Sequence, residues 1–243
     1  MSEERPKFDP ASVPTGDGVL KREHFSAEGM RFYAEMARRD GMGVLSEEAR
    51  EALLRETMAA VAPGSDVWVF GYGSLMWNPL IRVVDSRIAR VEGFTRHFCL
   101  RQTLGRGTPE KPGLMLGLDE GGSCTGVVHR VAAGDVESEI GLLWQREMLS
   151  GAYRPHWIEA SSEGESLSAL TFVVDRTHKR YEGLLPFETV ARRIASAEGI
   201  LGTNRDYLYR MAKHLAQLGV ADEDISRLER QVRALAGEPR SET

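Results

Sequence analysis

The sequence predicts an α+β fold in which a curved sheet or a small barrel is accompanied by helices. Strand-like segments follow one another between residues 67 and 174, and a helix-like segment interrupts them at residues 136–149. Helix-like segments dominate on both sides of this run. Because the strands do not alternate regularly with helices, the pattern favours α+β over a doubly wound sheet.

Residues 1–65 form a predicted N-terminal extension that is flexible at first and then helical. Residues 1–25 are polar and contain several prolines, which is typical of a flexible lead-in. Helices are predicted over 27–39 and 46–62 from the spacing of their apolar residues. Ser46 is the predicted N-cap of the second helix, because acidic residues follow it in the first turn.

A change of hydrophobic period at residue 67 predicts the start of the sheet. The run VWVFG over Val67–Gly71 is short, apolar and ends at glycines, as a buried strand does. Glycine-rich and proline-rich stretches, such as 105–113 and 119–123, predict the turns between strands. The further predicted strands cover residues 82–91, 97–102, 114–118, 125–131, 157–160 and 167–174.

Capping signals mark two of the remaining helices. Asp135 is the predicted N-cap of the helix over 136–149, and Thr203 with Asp206 resembles a capping box. The chain becomes helical again after Pro186. The helices predicted there cover residues 187–197, 204–218 and 224–235.

The composition argues against several classes of function. Lys and Arg number 31 and Asp and Glu number 36, so the net charge of −5 disfavours general nucleic-acid binding. No stretch approaches the roughly 18 apolar residues that span a membrane, and the N-terminus has no apolar core typical of a secretory signal. Cys99 and Cys124 lie in apolar, strand-like stretches without a CxxC pair, so we predict buried reduced thiols and a cytoplasmic location.

The segment Gly71–Met76, with the sequence GYGSLM, follows the first buried strand. A dinucleotide-binding fingerprint needs a third glycine where Met76 stands, and no Lys-Ser or Lys-Thr follows as in a P-loop. Successive backbone N–H groups in this loop are suited to binding a carboxylate or a developing oxyanion. A tight turn at the end of a strand is the alternative interpretation.

Glu147 stands out on the helix over 136–149. Ile140, Leu143, Trp144 and Met148 form one apolar stripe, and Glu147 falls on the same stripe at i+7. A buried carboxylate either pairs with a cation or shifts its pKa upward, and a raised pKa suits a general base that later acts as an acid. A structural salt bridge is the alternative, and its possible partners are Arg96, Arg101, Arg146 and Arg154.

Other polar residues carry weaker signals. The histidines show no metal-ligand spacing such as HExxH, so no metal site is predicted. Ser74 does not lie in a G-x-S-x-G elbow. Tyr153 has two open interpretations, as a residue that orients a substrate or as a partly buried tyrosine. The loop over 104–113 is either a lid or a surface loop.

These motifs together resemble the ChaC family of γ-glutamylcyclotransferases, in its bacterial form. The resemblance extends from about residue 67 to about residue 235, and its motifs occur in the expected order. The segments that carry it are VFGYGSLMWNP (69–79), GFTRHFCLR (93–101), GRGTPEKPG (105–113), LLWQREMLSGAYR (142–154) and LGTNRDYL (201–208).

The resemblance implies a γ-glutamylcyclotransferase-like small mixed β-barrel flanked by helices. This catalytic domain is expected over residues 66–237, followed by a disordered tail at 238–243. The implied substrate is glutathione, released as 5-oxoproline and cysteinylglycine, with Glu147 as the catalytic residue. No cofactor, metal, nucleic acid, membrane or obligate protein partner is expected. The implied substrate-binding residues are Gly71, Tyr72, Gly73, Ser74, Leu75 and Met76.

The implied chemistry agrees with the residues. The α-amine of a γ-glutamyl amide can attack its own γ-carbonyl, so the nucleophile comes from the substrate. The enzyme must bend the substrate and move protons, which Glu147 can do as base and then acid. Two alternatives stay open: a cyclotransferase for other γ-glutamyl amino acids or amines, and a non-catalytic regulatory protein that senses glutathione.

Overall fold

Five strands close into a barrel in the computed structural model of the chain, which describes residues 20–39 and 41–239. They are joined in the order β1-β3-β2-β4-β5, and β5 pairs in parallel with β1 to close the barrel. The other long pairings are antiparallel, so the predicted mixed barrel of an α+β fold is confirmed. The strands are β1 (Val67–Gly71), β2 (Asp85–Gln102), β3 (Gly113–Val131), β4 (Tyr153–Ser162) and β5 (Glu165–Val174).

The long hairpin of β2 and β3 differs from the sequence prediction, which divided each of these strands in two. The glycine-rich stretch 119–123 was predicted to be a turn, but it is paired with β2. Gly121 and Gly122 adopt φ of +115° and +65°, and the pairing register shifts between Glu92 and Phe94. The glycines therefore form a bulge that bends the hairpin without ending it.

The predicted helices are all present, with ends that differ by a few residues. A two-stranded sheet of β6 (Glu198–Gly199) and β7 (Gly202–Thr203) lies between two of them. No helix in the described part of the chain is both long and apolar enough to cross a membrane. The helices are α1 (Ala27–Arg39), α2 (Glu47–Met58), α3 (Val136–Glu147), α4 (Phe187–Ser196), α5 (Asn204–Gln217) and α6 (Glu223–Ala236).

Two of the three predicted N-caps are confirmed. The side chains of Ser46 and Thr203 accept hydrogen bonds from backbone N–H groups of the first turns of α2 and α5, each at 3.2 Å. The prediction for Asp135 is wrong, because its side chain caps no N–H group. A short 3₁₀ turn already precedes α3, and the Asp135 carboxylate instead accepts a hydrogen bond from Arg82 at 2.7 Å.

Helices pack against the barrel on two sides, and the C-terminal end of β1 lies between the two groups of helices. On one side α4, α5 and α6 pack around Leu208 and Met211, together with Leu114 and Leu116 of β3. On the other side α2 and α3 pack against β1 and β5 through the buried stripe of α3, as predicted. The loop after β1 and the C-terminal end of α3 therefore meet at one end of the barrel.

The start of the described chain packs against this domain. Composition predicted a flexible lead-in through residue 25, but Arg22–Phe25 form a 3₁₀ turn in which His24 and Phe25 are buried. The remainder of the predicted flexible lead-in, residues 1–19, and positions 240–243 of the predicted tail lie outside the described residues.

Candidate active site

The glycine loop after β1 is a tight turn. It enters a 3₁₀ turn at Ser74–Met76, where the Met76 N–H group donates to the carbonyl oxygen of Gly73 at 2.9 Å. A Cβ atom at Gly71 would lie 2.9 Å from the Cβ of Leu75, and one at Gly73 would lie 3.0 Å from the Tyr207 hydroxyl. Gly71 therefore allows the close approach of the backbone in this turn, and a side chain at Gly73 would crowd the Tyr207 hydroxyl.

The Arg96 side chain supports this loop through hydrogen bonds. Its guanidinium donates to the carbonyl oxygen of Tyr72 at 2.8 Å and to the Met76 sulfur at 3.5 Å, and it pairs with Asp222 at 3.0 Å. The Arg96 side chain is 5% exposed, so these contacts are shielded from water. Arg96 was one of the possible partners of Glu147, but it supports the loop instead.

A cavity of about 250 Å³ brings the loop and Glu147 together. Gly71 and Met76 lie outside its lining: Gly71 ends the strand opposite Val127, and Met76 is buried in the core around α5. A volume of this size lies just below the range typical of small-molecule sites, about 300–1,000 Å³. The predicted site residues that line the cavity are Tyr72, Gly73, Ser74, Leu75 and Glu147.

Arg146 connects Glu147 to the glycine loop. Its Nε atom lies 2.9 Å from the Glu147 carboxylate, while its terminal nitrogens donate to the Ser74 hydroxyl at 2.6 Å and to the Asn78 carbonyl oxygen. The side chains of Arg146 and Glu147 are 5% and 15% exposed. One guanidinium thus fixes the carboxylate relative to the turn at 74–78.

The salt bridge that the sequence offered as one interpretation of Glu147 is present, while its role as a general base stays a prediction. Glu147 pairs with Arg146, one of the four candidate arginines, and it also faces the cavity. Burial raises the pKa of the Glu147 carboxyl, and the positive charge of Arg146 partly opposes that shift. A carboxyl group in this environment releases its proton at a pH closer to neutral than an ordinary glutamate does.

Three tyrosines surround the carboxylate in the cavity lining: Tyr72, Tyr153 and Tyr207. The hydroxyls of Tyr72 and Tyr153 donate to backbone carbonyl oxygens of β5 and β3, at 2.8 and 3.2 Å. Burial raises the pKa of all three, and the charge of Glu147 raises it further. The tyrosines therefore keep their protons over the range in which Glu147 titrates.

The charged residues of the lining include more cations than anions. Arg106, Arg146, Arg180 and Arg210 line the same cavity as Glu147. An excess of arginine attracts ligands that carry carboxylates. Sequence reasoning missed Arg180 and Tyr207, although Tyr207 lies in one of the motifs that carry the family resemblance.

The remaining predictions concern metal and thiol chemistry. Within residues 20–39 and 41–239, no three His, Cys, Asp or Glu residues are grouped to hold a metal ion. His129 is a satisfied core residue, because its ring nitrogens contact the Ser86 hydroxyl at 2.8 Å and the Leu75 carbonyl oxygen at 3.0 Å. Cys99 and Cys124 are free and buried, as predicted.

Comparison with known proteins assigns the family. Residues 67–235 match the family model described as ChaC-like protein. The chain belongs to the ChaC family. A glutathione-specific γ-glutamylcyclotransferase of Escherichia coli (strain K12) is 42% identical to this ChaC chain over 194 residues, which cover 79% of this chain and 84% of the relative. The human glutathione-specific γ-glutamylcyclotransferase 1 is 32% identical over 163 residues, covering 65% of this chain and 73% of the relative.

A solved structure shares the ChaC fold described above. The crystal structure of a yeast γ-glutamyl cyclotransferase specific to glutathione has a TM-score of 0.65 and 22% sequence identity. It covers 70% of this chain and 96% of the yeast chain. The segment before β1, which includes α1 and α2, lies outside the residues matched by the ChaC family model.

Proposed function

We propose that this ChaC-family protein is a glutathione-specific γ-glutamylcyclotransferase that converts glutathione to 5-oxoproline and cysteinylglycine. The observation that carries the proposal is that the largely buried carboxylate of Glu147 and a strand-end loop of backbone amides line one cavity. The E. coli relative, 42% identical over most of both chains, bears the name of this activity.

The reaction is an intramolecular transfer of the γ-glutamyl group. The substrate α-amine attacks the γ-carbonyl carbon, so a C–N bond forms and closes the five-membered ring of 5-oxoproline. The amide C–N bond to the cysteinyl nitrogen then breaks, and cysteinylglycine leaves with the electron pair on that nitrogen. No water is consumed, because the nucleophile is the substrate's own amine. The α-ammonium carries three protons and the ring nitrogen of 5-oxoproline keeps one, so two protons are released. The leaving nitrogen takes one of them to become the free amine of cysteinylglycine, and the second protonates that amine or passes to solvent.

Glu147 moves these protons. As a carboxylate it takes a proton from the α-ammonium group, which frees the amine lone pair for attack. As a carboxylic acid it returns a proton to the leaving cysteinyl nitrogen. Its raised pKa reduces the free-energy difference between these two states near neutral pH, and Arg146 holds the carboxylate in place through both steps.

The glycine loop binds the γ-glutamyl half of the substrate. Gly73 has no side chain and lines the cavity, and N–H groups of this turn stabilise a carboxylate or the oxyanion of the tetrahedral intermediate. The bent substrate is held with its amine near its own carbonyl, which supplies the orientation that the reaction needs.

Glutathione fits the charge of the cavity. It carries two carboxylates and one ammonium group, and the lining offers four arginines and one glutamate. The two free thiols of the chain are typical of a reducing compartment, so we place the reaction in the cytoplasm.

Mass spectrometry of the products tests the proposal. Purified protein in metal-free buffer is expected to form 5-oxoproline and cysteinylglycine in equal amounts from glutathione. In a mixture of glutathione and γ-glutamyl-alanine, glutathione is expected to be consumed first. Preferential turnover of γ-glutamyl-alanine would identify a cyclotransferase of different specificity, while glutathione binding without product would identify a sensor.

A further inference from the structure

A segment outside the family domain completes the wall of the cavity. We call residues 20–45 the N-terminal arm; in its described part, residues 20–39 and 41–45, it contains the 3₁₀ turn at Arg22–Phe25 and helix α1. The arm precedes the residues matched by the family model, which begin at position 67. The arm residues that line the cavity are Leu20, Phe25, Met30, Tyr33, Ala37 and Met42.

The start of the arm is anchored by an ion pair between Arg22, whose side chain is half-exposed, and a buried carboxylate. Both terminal nitrogens of Arg22 contact the carboxylate of Glu139, at 2.5 and 3.1 Å. Glu139 is fully buried on α3, and its carboxylate also accepts a hydrogen bond from the Arg82 N–H group at 2.8 Å. Next to this pair, the Asn78 side chain donates to the Leu20 carbonyl oxygen at 3.0 Å. The arm is therefore fixed to the same turn that Arg146 contacts.

The C-terminal part of the arm is anchored to residues that follow α3 in the chain. The Leu45 N–H group donates to the carbonyl oxygen of Leu149 at 3.0 Å, and the Lys179 ammonium donates to the carbonyl oxygen of Gly41. Helix α1 lies between these two anchors. Its buried face, which includes Met30, Tyr33 and Ala37, is the face that lines the cavity.

Tyr33 has a hydroxyl group without a partner. The residue is 8% exposed, and its hydroxyl makes no hydrogen bond to any part of the chain that the structure describes. The ring is held by Phe25 and Phe32, at centroid distances of 6.4 and 5.6 Å. A buried hydroxyl without a partner is costly, and Tyr33 is one of the residues that line the cavity. Burial also raises the pKa of Tyr33, so the group stays a neutral donor.

We infer that the N-terminal arm is the binding wall for the cysteinylglycine half of the substrate and that the Tyr33 hydroxyl hydrogen-bonds to that half. The inference rests on the proposed function, in which Glu147 and the glycine loop take the γ-glutamyl half. The rest of the tripeptide then lies against the remaining lining, and the arm supplies its apolar part together with this hydroxyl. Tyr33 is thus a specificity-determining residue that lies outside the family domain.

The substitution Tyr33→Phe tests this assignment, because it removes the hydroxyl and keeps the ring packing. Loss of one neutral hydrogen bond is expected to raise KM for glutathione about 3- to 10-fold and to leave kcat unchanged. Product inhibition separates the two halves of the site. The inhibition constant of cysteinylglycine is expected to rise by the same factor, while that of 5-oxoproline stays at the parental value.

Tyr209→Phe is the matched control. Tyr209 lies on α5 outside the cavity lining, with Arg233 stacked 4.0 Å from its ring centroid, so its variant is expected to keep all three constants. An unchanged KM for glutathione in Tyr33→Phe overturns the inference. A rise in the 5-oxoproline constant equal to that for cysteinylglycine also overturns it, because Tyr33 would then face the γ-glutamyl half.

A direct measurement of binding tests the Tyr33 contact independently of the proposed function. Calorimetric titration of glutathione into Glu147→Gln and into the Tyr33→Phe/Glu147→Gln double variant measures the contribution of Tyr33 without turnover. If the parental protein releases no 5-oxoproline, the proposed function fails. Even then, a 3- to 10-fold loss of affinity in the double variant relative to Glu147→Gln supports the contact, because that loss corresponds to about one hydrogen bond. Equal affinities of the two variants refute it.

Discussion

Replacing Arg146 is expected to change both the rate and the pH dependence of the reaction. Arg146 contacts the Glu147 carboxylate at 2.9 Å and the Ser74 hydroxyl at 2.6 Å, and it also donates to the carbonyl oxygen of Asn78. Methionine preserves much of the side-chain volume but removes the charge and every donor. Lysine keeps the charge but cannot make the three contacts from one planar group.

The size of the effect follows from the contacts that are lost. A hydrogen bond to a charged group contributes about 1.5–3 kcal/mol. If only the contact to Glu147 acts on the transition state, Arg146→Met lowers kcat/KM by about 10- to 150-fold, since about 1.4 kcal/mol corresponds to a factor of ten. Arg146→Lys is expected to lose less, because the charge remains beside the carboxylate.

The pH dependence separates charge from positioning. The Arg146 charge lowers the pKa of Glu147 against the larger effect of burial, so its removal raises that pKa further. The carboxylate must be deprotonated to accept the first proton, so the activity lost on acidification is lost at higher pH in Arg146→Met. In Arg146→Lys the acidic limb of the pH–rate profile, where activity falls on acidification, is expected to stay near its parental position.

The assay is the rate of 5-oxoproline formation from glutathione between pH 5 and pH 9, measured for the parental protein and both variants. Circular dichroism and a thermal melt show whether each variant is folded. An Arg146→Met protein with the parental rate and an unmoved acidic limb would refute the view that this guanidinium positions and tunes Glu147.

Three further changes have defined outcomes. Gly73→Val is expected to abolish turnover because its side chain enters the cavity close to the Tyr207 hydroxyl; initial rates with glutathione measure this. Arg22→Ala leaves the buried Glu139 carboxylate with fewer partners, so urea unfolding is expected to show a loss of about 1–3 kcal/mol. Cys99 and Cys124, whose burial raises the pKa of their thiols to about 12 and about 11, are expected to resist iodoacetamide until the protein unfolds.

Each of these has a control on the same chain. Gly134→Val, at a glycine with open space around it, is the control for Gly73→Val; equal rates in the two variants would remove the glycine loop from the site. Arg38→Ala, on the exposed face of α1, is the control for Arg22→Ala, and equal stability losses would count against the anchor. Alkylation of either thiol in the native protein would contradict its burial.

Local patterns were sufficient to predict most of the elements, and they singled out two segments that line the cavity, while the candidate site residues came from the family resemblance. The spacing of apolar residues located α3 and placed Glu147 on its buried stripe, and the glycines of 71–76 identified a strand-end turn. These features depend on residues within a few positions of one another. The strand pairing across Gly121 and Gly122 was not predictable in this way, because it depends on the partner strand and the bulge.

Contacts between segments that are distant in the chain could not be predicted from local patterns either. The Arg146–Ser74 hydrogen bond joins residues 72 positions apart, and the Arg22–Glu139 pair joins residues 117 positions apart. No local pattern marks these partners, so the sequence predicts an N-terminal extension there but not its contacts with the rest of the chain. Asp135 shows the opposite problem: the local sequence predicts a capping side chain, but its carboxylate accepts a hydrogen bond from Arg82 instead.

The most direct test of the account is the single-turnover rate of 5-oxoproline formation by Glu147→Gln. Glutamine preserves the size of the side chain but cannot exchange a proton in this pH range. The account predicts that glutathione still binds and that the rate falls at least about 10²-fold. A Glu147→Gln protein that cyclises bound glutathione at the parental rate would contradict the account.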